Sequence, residues 1–341
     1  MKPAKNSKRR FEHTKLLVIG EDHESRIGNL GDIVREFDGS EVLVVNCSGT
    51  LPASFHGRHV SSGKMIEIRL ASFQGEMHSW LAVAFGEGSW KAPTENRKPP
   101  PQLEPRQMIE IGHDLRAVVE SVDVEFNRLI RIRFESESLV QRLYQHGRPI
   151  QYSYLEEDLE VWDQQTLFAG PPISVEPPSA GLNFSWRQIF ELQKKGIEIV
   201  PIRHGAGLSS TGSELLDQKF PLAEWFSIGE SSAGRINSAK KEGRKIFALG
   251  TTVARALESA MANGEVVAQG GLTTLRLGSD YKLQVVDGLI TGMHEPGSSH
   301  LELLDSFCSR ERTQRLYALA DKDGFLAHEY GDLAFLKCKC A

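Results

Sequence analysis

Two changes in the hydrophobic pattern divide the chain, and they limit its possible folds more than any other feature. Short β-branched runs at 15–19 and 41–46 predict core strands near the start. From about 63 to 144 short alternating strands predominate without a long helix, and a Pro-rich segment at 96–105 interrupts them. This middle pattern is typical of a small antiparallel barrel or sandwich. From about residue 186 strands alternate with helices, which indicates an α/β layer.

The same patterns predict individual elements. We expect strands at 64–71, 80–84, 117–124, 129–134, 197–203, 245–249 and 281–286, and helices at 186–195, 231–242, 253–263 and 299–309. A length of 341 residues is enough for about two domains. With 40% hydrophobic and 25% charged residues, the chain is neither collagen-like, nor a coiled coil, nor wholly disordered.

Composition also limits where the protein works and what it binds. The sequence contains no run of 18 or more apolar residues and no apolar stretch behind its basic start, so we expect a cytoplasmic protein without a membrane partner. A net charge of −5 creates no general attraction for nucleic acid. RNA binding would therefore depend on basic clusters at 2–10, 128–133 and 240–245, each of which also suits a solvated surface.

Four cysteines are too few for a disulfide scaffold, and we expect them to be reduced: Cys47, Cys308, Cys338 and Cys340. The last two could bind a soft metal ion, but no His or Cys cluster accompanies them. We interpret them as a frayed tail and predict no metal site. A monomer is the default expectation.

The segment 245–258, KIFALGTTVARALE, predicts a buried strand, a tight turn and an amphipathic helix. Thr251 or Thr252 can cap this helix, while the free N–H groups of its first turn offer a site for a carboxylate or phosphate. Arg255 is placed to add a charge-assisted bond. The alternative is a capped helix in which Arg255 simply pairs with Glu258.

Four other segments interrupt the regular pattern. The loop 174–184, SVEPPSAGLNF, can position a ligand or can be a plain helix entry with Ser185 as N-cap. Gly205 and Gly207 allow close approach to a ligand or make a sharp turn. In 285–296, His294 can transfer protons, although a loop histidine is more often exposed or bonded to backbone. The sequence Tyr-Gly-Asp at 330–332 suits a simple turn.

In their order and spacing, these segments resemble the S-adenosylmethionine:tRNA ribosyltransferase-isomerase (QueA) family of queuosine biosynthesis. GTTVARALES and VVDGLIT contribute most to the resemblance, and the middle of the chain matches by pattern only. The other matching segments are LVVN with Pro52, Ala53 and Gly57, QTLFA at 165–169, SVEPPSAGLNF, the glycine pair at 205–207, Glu224 with Trp225, His294 with Pro296, and the terminal Tyr-Gly-Asp.

The resemblance implies a fold and a reaction. The fold is an α/β main domain formed by both chain ends, 1–62 and 151–341, with an inserted small all-β barrel domain at 63–150. The reaction consumes S-adenosylmethionine as a cosubstrate. Its ribosyl group is transferred to the aminomethyl group of a 7-deazaguanine in tRNA and isomerised, which releases adenine and methionine and leaves epoxyqueuosine. Such chemistry needs a base near the ribose C5′, help for the departing adenine and a pocket for methionine.

The resemblance also implies a set of site residues. We expect His294, Asp287 and Glu224 to serve in proton transfer and adenine departure. We expect the cosubstrate to contact three short segments, whose members are Ser179, Ala180, Gly181, Gly205, Gly207, Gly250, Thr251, Thr252 and Arg255.

Several positions depart from the family pattern. Cys47, Ser48 and Gly49 replace an Asp-Thr-Arg segment, and Asn183 replaces a histidine. Arg203 stands where the family has a further histidine, and this chain has His204 one position later. In a strand, a shift of one residue would turn the His204 side chain to the opposite face. A divergent relative that binds S-adenosylmethionine with a non-tRNA acceptor, or without turnover, is therefore the alternative function. We expect tRNA as the partner.

Overall fold

The structure is a computed structural model that describes residues 1–7, 11–20, 24–294 and 298–337. Within these residues six antiparallel strands form a closed barrel and nine strands form a mixed sheet. The mixed α/β content and the barrel are therefore confirmed. The cysteine tail at 338 and 340, and part of the basic cluster at 2–10, lie outside the described residues.

The barrel closes in the spatial order Leu115–Val122, Leu129–Glu135, Ser79–Gly86, Met65–Phe73, Ser54–His59 and Met108–Ile111. Alternate residues of these strands point inward, and the interior is filled by large apolar side chains such as Phe55, Trp80 and Phe134. Five of the six strands lie in the predicted insert, and Ser54–His59 precedes its expected boundary. The helix Leu139–His146 follows the last barrel strand.

The mixed sheet has the spatial order Gln269–Thr273, Glu224–Ile228, Glu198–His204, Val42–Asn46, Ile246–Leu249, Gly288–Gly292, Leu333–Leu336, Lys15–Ile19 and Ser25–Asn29. Its centre is parallel, from Glu198–His204 through Gly288–Gly292. Three of these central strands, Val42–Asn46, Ile246–Leu249 and Gly288–Gly292, are buried along their whole length, as expected for a sheet covered on both faces.

Helices cover both faces of the sheet. One apolar layer packs under the helices Glu230–Lys241, Thr251–Ser259 and Arg310–Lys322, and the other lies against Trp186–Lys194 and the 3-10 segment Leu30–Glu36. Shorter helical pieces are Glu214–Asp217, Ser299–Leu303, Phe11–His13, Thr94–Asn96, Val161–Gln164, Ser179–Gly181 and Leu304–Ser306. No helix among the described residues is both long and apolar enough to cross a bilayer.

Short strand pairs complete the fold. They join Lys2–Pro3 to Leu326–Ala327, Gly49–Thr50 to Pro172–Ser174, and Met261–Ala262 to Glu265–Val266.

The predicted strand at 281–286 is wrong. The Glu258 carboxylate accepts the backbone N–H groups of Gln284, Val285 and Val286 at 2.9–3.2 Å, so these groups bond to a side chain and not to a neighbouring strand. The sheet instead takes Gly288–Gly292. A β-carbon on Gly288 would lie 2.5 Å from the Leu336 carbonyl oxygen, and glycine therefore permits this close strand pairing.

Two predicted helices end earlier than expected. The helix predicted to reach 263 ends at Ser259, because Asn263 and Gly264 both have positive φ and form the turn of a tight hairpin. The helix predicted at 299–309 ends at Leu303 and continues as a 3-10 turn. Ser185 is an N-cap as predicted, since its hydroxyl accepts the Gln188 N–H.

Candidate functional site

The candidate site lies at the carboxyl edge of the parallel strands. The side chain of Asn46, at the end of one strand, accepts the His204 N–H at 3.1 Å and donates to the His204 carbonyl at 2.8 Å. Ser48 accepts the same N–H at 3.1 Å. The ends of two neighbouring strands are thus fixed together at the edge where α/β proteins usually bind ligands.

The Thr251–Ser259 helix begins at this edge. Gly250 is its N-cap with a φ of 96°, a left-handed conformation that favours glycine, and no side chain caps the helix among the described residues. The prediction that Thr251 or Thr252 provides the cap is therefore wrong. A β-carbon on Gly250 would lie 3.7 Å from Ala180, so the Ser179–Gly181 turn packs directly against this helix start.

Arg255 forms a buried ion pair with Glu224, and its Nε donates to the Leu275 carbonyl at 3.0 Å. Glu258, the alternative partner considered for Arg255, instead binds backbone N–H groups of 284–286. Burial is the largest single influence on the pKa of Glu224 and would raise it, but the Arg255 charge, the Gly207 N–H bond and the neighbouring imidazoles together outweigh burial and hold the pKa below its usual range. Glu224 is therefore an anion, and the Arg255 Nη2 atom is buried without a partner among the described residues.

The glycine-rich loop after Glu198–His204 contacts the same carboxylate. Gly207 donates its N–H to Glu224 at 2.6 Å, and Gly205 donates to the Trp225 carbonyl at 2.8 Å. A β-carbon at Gly207 would lie 2.7 Å from the Ala71 carbonyl and 2.8 Å from Glu224. Glycine is required there because the backbone itself approaches the carboxylate.

His204 lies beneath this group. Its Nε2 is 3.5 Å from Glu224, its side chain is fully buried, and neither ring nitrogen has a hydrogen-bond partner in the described part of the chain. Burial lowers the pKa of His204 to about 4, and the Arg255 charge adds to this effect against the opposing attraction of Glu224. The imidazole is therefore neutral at pH 7.

A cavity opens above the ion pair, and a second one lies beside it. Residues around the first include Glu224, Thr251, Thr252, Arg255, Arg276, His300 and Glu302. Residues around the second include His294, Glu302, Asp305, Arg310 and Tyr317.

Two histidines join these cavities. The rings of His294 and His300 stack at 5.1 Å, and His294 Nε2 lies 2.7 Å from the Thr291 hydroxyl. Burial lowers the pKa of both imidazoles, with that of His294 well below its usual value. Both rings are thus neutral at pH 7, and each keeps a nitrogen lone pair, although burial makes it a weaker base than a free imidazole.

The predicted site residues fall into two groups. Those brought to the carboxyl edge are Ser179, Ala180, Gly181, Gly205, Gly207, Glu224, Gly250, Thr251, Thr252, Arg255 and His294. Asp287 is not among them. Its carboxylate accepts the Ile246 N–H at 2.9 Å, where the strands Ile246–Leu249 and Gly288–Gly292 begin, so it lies at the opposite edge of the sheet.

Sequence reasoning missed His300, Arg276 and Glu302 as neighbours of the ion pair. His300 is part of a short helix with no distinctive local pattern, and its position follows from tertiary packing. The sequence pattern indicates His204 only as a neighbour of the position where the family has a histidine. The strand ends at His204, and the side chain points towards Glu224.

One group of described residues has ligand atoms close enough for a metal ion: His113, Asp114 and His146 on the barrel. The Arg142 guanidinium already occupies the same carboxylate at 2.5 Å. That the protein needs no metal ion stays a prediction.

Together the fold and the site define a class: an α/β protein with a closed six-stranded barrel and a buried, charged cluster at the carboxyl edge of its sheet. The chain belongs to the family described as queuosine biosynthesis protein, whose family model matches residues 2–336. The family resemblance found in the sequence is therefore confirmed.

Individual relatives agree with this assignment. The chain is 31% identical over 336 residues to the S-adenosylmethionine:tRNA ribosyltransferase-isomerase of Fusobacterium nucleatum, covering 95% of this chain and 90% of that protein. It is 33% identical over 316 residues to the Thermus thermophilus protein of the same name, covering 90% and 86%. The crystal structure of S-adenosylmethionine tRNA ribosyltransferase from Thermotoga maritima matches the fold with a TM-score of 0.51 at 20% identity, covering 98% and 94% of the two chains.

Proposed function

We propose that this protein transfers and isomerises the ribosyl group of S-adenosylmethionine onto the 7-aminomethyl-7-deazaguanine of tRNA, giving epoxyqueuosine. The observation that supports this most directly is the buried Arg255–Glu224 pair at an uncapped helix start, in a chain whose family and relatives act in this chemistry. The alternative of a non-tRNA acceptor or lost catalysis is not favoured by these relatives.

The residues present fit the charges of the cosubstrate. S-adenosylmethionine contains a carboxylate, an ammonium group and a sulfonium cation. Two groups suit the carboxylate: the Arg255 Nη2, which has no partner among the described residues, and the first-turn N–H groups of Thr251 and Thr252, because guanidinium and helix N-termini both favour anions. The Glu224 anion suits the positive charge.

We assign different chemical roles to the acidic and imidazole groups. Glu224 is held by Arg255 and by the Gly207 N–H, so its lone pairs are engaged and its basicity is reduced. It stabilises positive charge. His294, neutral and adjacent to His300, accepts the proton made acidic by the sulfonium and returns a proton to the departing adenine. Asp287 has no part in this proposal because of its place at the opposite edge.

The proposal includes the remaining features expected of the family. S-adenosylmethionine is consumed as a cosubstrate without a metal ion, tRNA is the partner, and the protein acts in the cytoplasm. The two chain ends form the α/β main domain around the barrel. Support for this arrangement is that all six barrel strands lie between residues 54 and 135, whereas the sheet strands lie before and after them.

One assay tests the function. The pure protein is incubated with S-adenosylmethionine, with and without tRNA bearing the aminomethyl base, and adenine and methionine are quantified. We expect both products in equal amounts and only with the modified tRNA. Release that ignores tRNA would indicate a small acceptor, and measurable binding of S-adenosylmethionine without release would indicate lost catalysis.

A further inference from the structure

A second cluster of side chains lies beside the candidate site and has no role in the proposed reaction. We call Tyr152, Tyr154, Glu176, His328 and Glu329 the Tyr–Glu cluster. The Tyr152 and Tyr154 rings lie nearly parallel at 6.0 Å and 13°, and Tyr154 stacks on His328 at 4.4 Å and 27°. Each of these three residues is half-buried. They form one continuous run of aromatic rings that is not fully closed off from solvent.

Two carboxylates border this run of rings. The Tyr152 hydroxyl donates to Glu176, and the Tyr154 hydroxyl donates to Glu329. The described ranges show no ion pair to either carboxylate, and the nearby Arg69, which lies over the Tyr152 ring, pairs with Glu67 at 2.7 Å. Such a pair of acids is a favourable place for a ligand cation or for several N–H donors.

Two further observations point to a ligand. The Tyr330 hydroxyl, on a side chain that is 4% exposed and packs in the same apolar cluster as Tyr154, has no hydrogen-bond partner among the described residues. Burial raises the pKa of Glu176 to about 7, and the Glu329 charge adds to this increase. A positive ligand group between these acids would relieve their repulsion.

The loop after Glu198–His204 joins the Tyr–Glu cluster to the Arg255–Glu224 pair. Gly207 donates its N–H to Glu224 at 2.6 Å, and Ser209, two residues later, donates to Glu176 at 3.1 Å. The two carboxylates are thus held by neighbouring backbone groups of one loop. A ligand in the Tyr–Glu cluster would lie next to the reacting groups.

We propose that the Tyr–Glu cluster receives the acceptor base, stacking its ring on the tyrosines and binding its aminomethyl ammonium through Glu176 and Glu329. This inference rests on the proposed function. A 7-deazaguanine offers a flat ring, N–H donors on its pairing edge and a primary amine, which match an aromatic surface bordered by two acids. The methionine part of S-adenosylmethionine also contains an ammonium group, but it has no flat ring beside that group.

The test measures tRNA binding without S-adenosylmethionine, so that no turnover occurs. The probes are tRNA bearing 7-aminomethyl-7-deazaguanine and the same tRNA bearing guanine at that position. We expect Glu176→Gln to weaken binding of the modified tRNA by about ten- to a hundredfold, the loss of a charge-assisted bond. Affinity for the guanine tRNA and for S-adenosylmethionine should change less than about twofold. Exposed Glu137→Gln is the matched control.

Other results separate this inference from the proposed function. A fall in S-adenosylmethionine affinity alone would assign the acids to the cosubstrate and overturn the inference, as would unchanged binding of every probe. If wild-type protein releases adenine with modified tRNA but binds both tRNAs equally, the function stands and the inference fails. Glu329→Gln, at a partly exposed position, provides the second variant should Glu176→Gln fail to fold.

Discussion

The Arg255 guanidinium and the Glu224 carboxylate are paired across 31 residues of sequence, and both side chains are more than nine-tenths buried. Removing one member leaves the other as an uncompensated buried charge. We expect Arg255→Ala to lower the free energy of unfolding by about 3–5 kcal/mol. Denaturant titration at pH 7 measures this loss.

A double-mutant cycle tests the coupling. Because Arg255→Ala with Glu224→Ala removes both charges, the double variant should lose clearly less stability than the sum of the two single variants. Strict additivity would mean that the pair contributes little to stability in solution. Binding of S-adenosylmethionine to folded protein should also weaken in Arg255→Lys, which keeps the charge but not the guanidinium geometry.

The acid stability of the protein should depend on His204. Between pH 6.5 and about 4 the unfolded chain binds a proton at this residue and the folded protein does not. Unfolding is therefore favoured as pH falls through this window, by up to roughly 1.4 kcal/mol per pH unit. His204→Gln should flatten the dependence of unfolding free energy on pH there. Chemical denaturation from pH 4.5 to 7 gives the slope, and an unchanged slope would contradict a buried neutral His204.

The sequence predicts local segments of the site well because local chemistry defines them. The strand, glycine turn and helix of 245–258 follow from an apolar run, a residue tolerant of positive φ and a helical repeat. The helix N-cap at Ser185 follows for the same reason. Carboxyl ends of parallel strands then meet at one edge, which brings His294 towards Arg255.

Ion pairs between residues that are distant in sequence could not be predicted in this way. Glu224 and Glu258 are equally good partners for Arg255 by charge, and only the tertiary fold places Glu258 against the backbone at 284–286. That same contact explains why the apolar run at 281–286 is not a strand. Asp287 shows a related limit. It lies close to His294 in the sequence, but the strand Gly288–Gly292 runs between them and places the two residues at opposite edges of the sheet.

The salt dependence of tRNA binding should distinguish two arginines of the barrel, Arg131 and Arg133. Arg133 binds Glu76 and Glu120, and these bonds raise its pKa. Within the described residues, the Arg131 guanidinium forms a hydrogen bond to the neutral Gln74 and no ion pair. We expect Arg131→Gln to reduce the slope of log affinity for tRNA against log salt by about 0.7–0.9, one phosphate contact.

Arg133→Gln is the internal control and should leave that slope nearly unchanged, because its charge is already neutralised within the protein. Equal effects of the two variants would show that the Glu76 and Glu120 contacts do not withhold Arg133 from RNA. No effect of either would remove this strand from the RNA surface.

Kinetics can test the proposed proton-transfer role of His294. The His294 Nε2 lies 2.7 Å from the Thr291 hydroxyl, and the Tyr317 hydroxyl accepts the His294 backbone N–H at 3.2 Å. His294 is therefore also well placed to stabilise the turn after Gly288–Gly292. Loss of a proton-transfer group should lower single-turnover adenine release by about 10²–10⁴-fold with little change in affinity for S-adenosylmethionine. Loss of a residue that only stabilises the turn should instead lower the melting temperature and leave adenine release by the folded fraction near normal. We therefore expect His294→Gln to show slow release, near-normal binding and a folded melting profile, with exposed His113→Gln as the matched control. Normal single-turnover release by His294→Gln would exclude the catalytic assignment and leave His294 as a structural residue.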